Sequence, residues 1–336
     1  MITRYRMSIN GTQLDSCLNN NATYKKYKDK IVLLNIGYSE PGISRTVETA
    51  GDTDGGIITR TYRQKATVTV TFGLYIYDVA DRKAVCRIIQ TLVRNGGTIQ
   101  TNDRPGEALY NCVCEQFPEI DSARDWTAPL TMVFSAYAFP YWQDTAETRA
   151  TIPVGGTNWT SKAINVPGNA PKSFPIIEIV AKADFTDLNP NYKGLVGSSS
   201  GGMTLIDNIN TGSPSGGTIL PGSLTDPTFF VTQREQISVA VSNNTYGQTT
   251  ISSFYPLKKN NCMVIDTDAR NNLRIRIYAS RSNFGVYGNY LASGLGYVYA
   301  DKSNDLLIAS PGESNTFKAK AEKQIDVFIS VKGAWL

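Results

Sequence analysis

The stretch Thr67–Ile89, TVTVTFGLYIYDVADRKAVCRII, changes its period halfway along. From Ala66 to Ile76 every second residue is apolar: Ala66, Val68, Val70, Phe72, Leu74, Ile76. That is the signature of a half-buried β-strand, because successive side chains in a strand point to opposite faces. After Asp81 the apolar residues fall at Val85, Ile88, Ile89, Leu92 and Val93, a helical spacing. Asp81 is the expected N-cap, and Asn95-Gly96-Gly97 the stop, so a helix is predicted over 81–95. The other face of the strand, Thr67, Thr69, Thr71, Tyr75 and Tyr77, is polar and aromatic. It faces either solvent or another subunit.

Strand patterns dominate around this pair. IVLLNI (31–36) precedes it, and turn residues 52–56 lie between Thr-, Val- and Ile-bearing arms in 44–64. Strands are predicted at 108–117 and 130–139. These make a first domain over 1–145, of α+β type, with one helix on an antiparallel sheet. Residues 146–165 read as a linker. Residues 166–336 carry short strands between Gly, Asn and Pro turns, which predicts a β-sandwich or jelly roll. Near 186–244 a Gly/Ser-rich insert is expected: Thr186–Pro227 holds 8 Gly and 6 Ser with only 4 charged residues. The fold class is therefore mainly β.

Composition excludes much chemistry. The 336 residues contain no histidine, which removes the commonest general base and transition-metal ligand. Net charge is +4, and residues 1–150 carry 17 basic against 16 acidic side chains, so no basic arm for nucleic acid is present. Cys17, Cys86, Cys112, Cys114 and Cys262 have no zinc-ligand spacing and read as reduced thiols, as in a protein made in a cytoplasm. The N-terminus lacks the apolar run of a signal peptide, and no stretch approaches the ~18 apolar residues of a membrane span. The sequons at Asn21, Asn158 and Asn243 read as chance occurrences.

Phosphate-loop and serine-nucleophile motifs are missing. Carboxylates could still hydrolyse a glycoside. The sets available are Glu115/Glu119/Asp121 and Asp266/Asp268, and turn capping explains both more cheaply. Asp52 and Asp54 lack a full calcium-loop pattern. Tyr287, Tyr290, Tyr297 and Tyr299 crowd a Gly/Asn-rich segment with Phe284. Exposed, they could stack on sugar rings, with Tyr297 and Tyr299 on one face of a strand; otherwise they are core or inter-subunit packing. No cofactor, metal or catalytic residue is predicted.

By elimination the chain is a binding or building element, and the order of its motifs resembles the distal tail protein of long-tailed bacteriophages. SINGTQL (8–14) is similar to that family's opening strand and turn. ETAGDTDGGIITRTYRQKATVTVTF (48–72) is similar to its hairpin segment, DVADRKAVCRIIQTLVRNGG (78–97) to its single helix, and MVFSAYAFPYWQD (132–144) to its domain-closing strand. PGNAPKSFPIIEI (167–179), NNCMVIDTDARN (260–271) and the segment 310–336 match more loosely. The resemblance implies a homo-hexameric ring at the tail tip or baseplate of a virion, assembled in the host bacterial cytoplasm. DNA would pass through its channel without specific binding. The implied partners are the tail tube, tail-associated hub proteins and receptor-binding proteins, with no membrane anchor. Alternatives from other classes are a carbohydrate-binding module, a glycosidase and a tail-tube protein.

Overall fold

In the computed structural model the alternating strand forms as Ala66–Leu74, and its apolar residues are buried while its threonines are only partly so. The structure describes residues 5–48, 57–120, 127–185, 194–197, 203–206, 219–220, 235–268, 273–300 and 307–336. The chain divides into two compact units. The first comprises Met1–Thr148, Val166–Ser173 and Lys332–Leu336; the second comprises Arg149–Asn165 and Phe174–Val331. The architecture is mainly β, in antiparallel sheets, with one α-helix among the described residues.

The first unit contains β1 (Met7–Ile9), β2 (Thr12–Gln13), β3 (Ile31–Ser39), β4 (Ile43–Glu48), β5 (Ile57–Arg63), β6 (Ala66–Leu74), α1 (Val79–Val93), β7 (Gly97–Thr101), β8 (Glu107–Gln116), β9 (Leu130–Ala136) and the start of β10 (Trp142–Val154). Strand β6 is paired on both sides, with β3 and with β9. Strand β8 belongs to two sheets. Its first half pairs with β7 and β10, and its second half, from Val113, pairs with β9. Asn111, between the halves, has φ +54°, and register shifts flank it in both ladders. A strand that changes sheets through such irregularities makes a corner, so two sheets can close over one core.

The N-terminal hairpin is a two-residue Asn10-Gly11 turn with φ +50° and +79°, the primed geometry that matches strand twist. Asn10 also holds the far end of the helix. Its Nδ2 donates to the Gly96 carbonyl at 3.1 Å, and its Oδ1 accepts from the Thr98 N–H at 2.9 Å. Gly96 has φ +62°, and a Cβ there would lie 1.9 Å from the Cys112 carbonyl oxygen, so glycine is required.

The helix starts two residues earlier than expected, because Asp78 is the cap: its side chain accepts from the Asp81 N–H at 2.8 Å. Asp81 instead accepts from Tyr27 Oη at 2.5 Å. The buried stripe is Arg82, Val85, Cys86, Ile89 and Val93, whereas Ile88 and Leu92 pack only partly against the core. Val85, Cys86, Ile89 and Val93 join Val68, Val70, Phe72, Met132, Phe134 and Ile99 in one apolar cluster.

The second unit carries two sheets. One contains β12 (Ile176–Ala181) between β25 (Ile325–Trp335) and β18 (Cys262–Asp266), followed by β19 (Arg274–Tyr278) and β22 (Tyr290–Ser293). The other runs β11 (Thr160–Asn165), β24 (Ser314–Ala321), β16 (Ile237–Asn243), β17 (Gly247–Ser253), β23 (Val298–Ala300). Small additional sheets are β13 (Gly194–Gly197) with β14 (Met203–Ile206) and β15 (Ile219–Leu220), and β20 (Arg281–Asn283) with β21 (Val286–Tyr287).

Two expected boundaries need correction. Residues 146–165 are not a linker: β10 runs on to Val154 and β11 fills Thr160–Asn165, paired with β24. Gly155, Gly156 and Asn158 mark only the turn between these strands, while Pro153 and Asn165 lie within them. The insert does not reach 244 either, since β16 is paired on both sides and buried through most of its length. Most of Thr186–Pro227 lies outside the described residues.

The helix burial makes a direct prediction. Ile89 is 0 % exposed, so Ile89→Ala is expected to destabilise the protein by about 2–5 kcal/mol in chemical denaturation. Arg87→Ala, on the solvent side, should change stability by no more than about 0.5 kcal/mol.

Candidate subunit interface

The threonine face of β6 is the centre of a broader polar surface. Register places Ser39, Gly37 and Asn35 of β3 beside Thr67, Thr69 and Thr71, and Ser135, Val133 and Thr131 of β9 on their other side. Ser135 is 0 % exposed, so the accessible part of this face is carried by β3, β6 and by Val133 and Thr131 of β9, whose small and β-branched side chains cost little rotamer entropy to order. Thr67 Oγ1 and Ser135 Oγ approach to 3.5 Å.

Tyr75 and Tyr77 do not continue this surface along the strand. The ladder ends at Leu74, where the Ile76 N–H bonds back to the Leu74 carbonyl at 2.9 Å. The Tyr75 N–H donates to the Lys30 carbonyl at 2.9 Å, and its ring folds over Gly73, where a Cβ would lie 2.5 Å from it. Tyr77 is 83 % exposed just ahead of the helix. Alternation carried the expected strand past its end, which is set by a local backbone turn.

A charged cluster that sequence reading missed borders the same surface. Glu115 is the extra residue of the bulge where β8 meets β9. Lys65 Nζ donates to its two carboxylate oxygens at 2.8 and 2.6 Å, and Tyr137 Oη donates to it as well. The Lys65 ammonium also lies 5.4 Å from the Tyr137 ring centre. Hydrogen bonding to Lys65, then to Tyr137, pulls the Glu115 carboxyl down to about 2. Only long-range pairing brings residues 65, 115 and 137 together, so no local motif announces them.

That depressed value is the reverse of what a general acid needs. Glu115 and Glu119 do border one open groove of about 430 Å³, with Gln116, Phe117, Pro129 and Thr131. Asp121 lies outside the described residues, as do Asp52 and Asp54. Asp266 caps a turn, accepting from the Asp268 N–H at 3.0 Å. Burial pushes all five thiols up, Cys17, Cys86 and Cys114 to about 11 and Cys112 and Cys262 to about 12. Among the described residues no three Cys, Asp or Glu side chains gather as metal ligands.

The tyrosines that could have stacked on a sugar are spread over separate elements. Tyr287 stacks on Tyr278 at 4.5 Å and donates from Oη to Glu178 at 2.5 Å. Burial and that carboxylate push its pKa up. Tyr290 is 57 % exposed and meets Tyr278 edge-on. Tyr297 sits in a 3-10 turn, Leu295–Tyr297, edge-on to Tyr255 and Phe254, so it does not alternate with Tyr299 in one strand. Tyr299 belongs to β23, opposite Ser252, and its side chain lies outside the described residues.

Glu178 itself is the second group missed. It is fully buried on β12, accepts from the Gly285 N–H at 2.9 Å and pairs with Arg281 Nε. The Arg281 guanidinium lies 3.7 Å from the Phe328 ring centre. The buried pair seats the β20–β21 ribbon on the sheet. The one available signal was an acidic residue inside the apolar run IIEIV.

The sequence matches no protein-family profile and no curated protein. The fold does match solved structures. SPP1 Dit (gp 19.1), described as a paradigm of the hub adsorption apparatus in phages infecting Gram-positive hosts, superposes with a TM-score of 0.55 at 12 % identity. That match covers 99 % of this chain and 100 % of the SPP1 chain. Chains of the phage P2 baseplate in its activated conformation align at TM-scores of 0.40 with Ca and 0.43 with Sr, at 8 % and 9 % identity. They cover 99 % and 98 % of this chain, and 98 % and 97 % of their own lengths. Of the three, only the SPP1 match exceeds 0.5; it shows that the chain has the fold of a phage tail hub protein.

The ion pair makes a pH prediction. A carboxyl lowered in the folded state stabilises it above the unfolded value, and that contribution disappears as pH falls through about 2. NMR titration of Glu115 should place its midpoint well below an ordinary carboxylate. Lys65→Met should return it toward the usual range, and an unchanged midpoint would show that Lys65 is not the cause.

Proposed function

We propose that this chain is the structural hub of a phage tail tip, a closed ring of six copies around the DNA channel. The supporting observation is the end-to-end fold match with SPP1 Dit, which leaves neither chain with a large unmatched part. The first unit forms the ring wall, and the outer face of β3, β6 and β9 meets the neighbouring copy. The second unit carries the contacts to receptor-binding and tail-associated proteins, and the tail tube stacks on the ring. DNA passes without sequence-specific contact. The protein acts in the virion after assembly in the host cytoplasm, and it is not an enzyme.

Ring interfaces are heterologous, so two different patches must meet and close by rotation. A face of threonine, serine, valine and glycine suits such a joint. Its short side chains leave room for close packing in the ring, and its hydroxyls keep it polar in the free chain. With 17 basic and 16 acidic residues in 1–150, charge steering contributes little, and assembly should survive moderate salt.

The test is the stoichiometry of the concentrated protein, by negative-stain imaging and native mass spectrometry. Six-fold rings are expected. A strict monomer at high concentration, or a symmetric dimer through β6, would overturn the reading. Thr69→Arg, in the middle of the outer face, is expected to abolish the ring while changing monomer stability by no more than about 0.5 kcal/mol.

A further inference from the structure

The first unit is not finished by the first 148 residues; it also takes in Val166–Ser173 and Lys332–Leu336. These two short stretches hold each other. Gly168 and Ala334 form a parallel bridge; the Ala334 N–H donates to the Pro167 carbonyl at 3.1 Å. The N–H groups of Asn169 and Ala170 donate to the Ala334 carbonyl at 3.1 and 3.0 Å. Ser173 Oγ donates to the Lys332 carbonyl at 2.6 Å, and the Leu336 N–H to Asn169 Oδ1 at 2.8 Å.

Side chains then tie the pair to the body of the unit. Trp335 Nε1 donates to Asp144 Oδ1 at 2.8 Å, and the Trp335 ring packs against the core cluster. Lys332 Nζ donates to Tyr110 Oη at 3.0 Å, with its ammonium 4.4 Å from that ring centre. The Arg104 guanidinium donates to the Leu336 carbonyl at 3.2 Å, while lying 5.2 and 5.0 Å from the Tyr38 and Trp142 ring centres. The fit is close. A Cβ on Gly168, at φ +125°, would lie 1.9 Å from the Ala334 oxygen, and one on Gly333 would lie 2.1 Å from Asp144 Oδ2 and 2.9 Å from the Pro167 oxygen.

We propose that residues 332–336 are a latch that completes the first unit last, making the ring-forming part of the chain competent to assemble only after the second unit has been made. Trp335 lies 191 residues beyond Asp144. At 5–20 residues per second, synthesis separates the two by roughly 10–40 s. Domain folding is fast on that scale, so the first unit waits with this seam open. A chain broken off within the second unit never closes it and is excluded from the assembly. The closure stands on contacts within the first unit; its consequence for the ring rests on the hub reading above.

Hydrogen–deuterium exchange on the full-length variant Gly333→Val, and on a chain ending at Val331, tests the latch. Gly333 does not have positive φ, so the substitution acts by crowding Asp144 and Pro167 rather than by backbone strain. At Met7–Ile9, Gly97–Thr101 and Glu107–Gln116 exchange should accelerate at least tenfold in both variants, while Ile176–Ala181 and Cys262–Asp266 keep wild-type protection. Both variants should also lose the ring. Unchanged protection in the first unit would overturn the latch, as would equal loosening of both units. If the wild-type chain forms no ring but exchange shifts as expected, the hub reading fails and the latch stands.

Discussion

Strand β6 is paired along its length on both sides, and one of its faces is wholly committed to the core. A one-residue slip against either neighbour would put Val68, Val70 and Phe72 into water and three threonines into the apolar cluster. The register is therefore fixed by burial, and everything else in the first unit is placed relative to it. The helix meets that apolar face through Val85, Cys86, Ile89 and Val93, which share one cluster with it. Strand β8 must turn a corner because one sheet cannot enclose both that helix and the β1–β7 ladder.

Sequence period alone revealed β6 and the helix, since both are local patterns repeated over three or more cycles. It could not reveal β8 as a corner. Asn111 with positive φ and the bulge at Glu115 are single-residue events whose meaning depends on which strands lie alongside. The same limit explains the segment 146–165. Its turn residues are real, but strand β11 owes its existence to β24, which lies about 150 residues further on. The last five residues gave no sign that they belong with the first unit, for the same reason.

The outward face of β6 was legible in part. Alternation identified Thr67, Thr69 and Thr71 as the outward residues, and the ladder supplied their neighbours on β3 and β9. Tyr75 and Tyr77 were assigned by extending the alternation past a turn that the sequence does not mark. The aromatic residues of 284–299 were grouped by proximity in sequence, yet the fold separates them: Tyr287 serves a buried carboxylate, and Tyr297 packs on Tyr255. Glu178 and Arg281 show the opposite failure. They are 103 residues apart, and only the structure makes them a pair.

Both outer strands of the β3–β6–β9–β8 sheet are interrupted by a bulge. β3 ends one side of that sheet, and it carries a bulge in which Leu34 is the extra residue. A bulge twists an edge and breaks its row of unpaired amides, which discourages a second strand from adding there. On the other side β8 is bulged at Glu115, and that carboxylate is held by Lys65 and Tyr137. Both outer strands thus carry a bulge on either side of the polar face. On the proposed hub reading, this leaves the side-chain face of β3, β6 and β9, rather than the bulged outer strands, as the surface that meets a neighbouring copy.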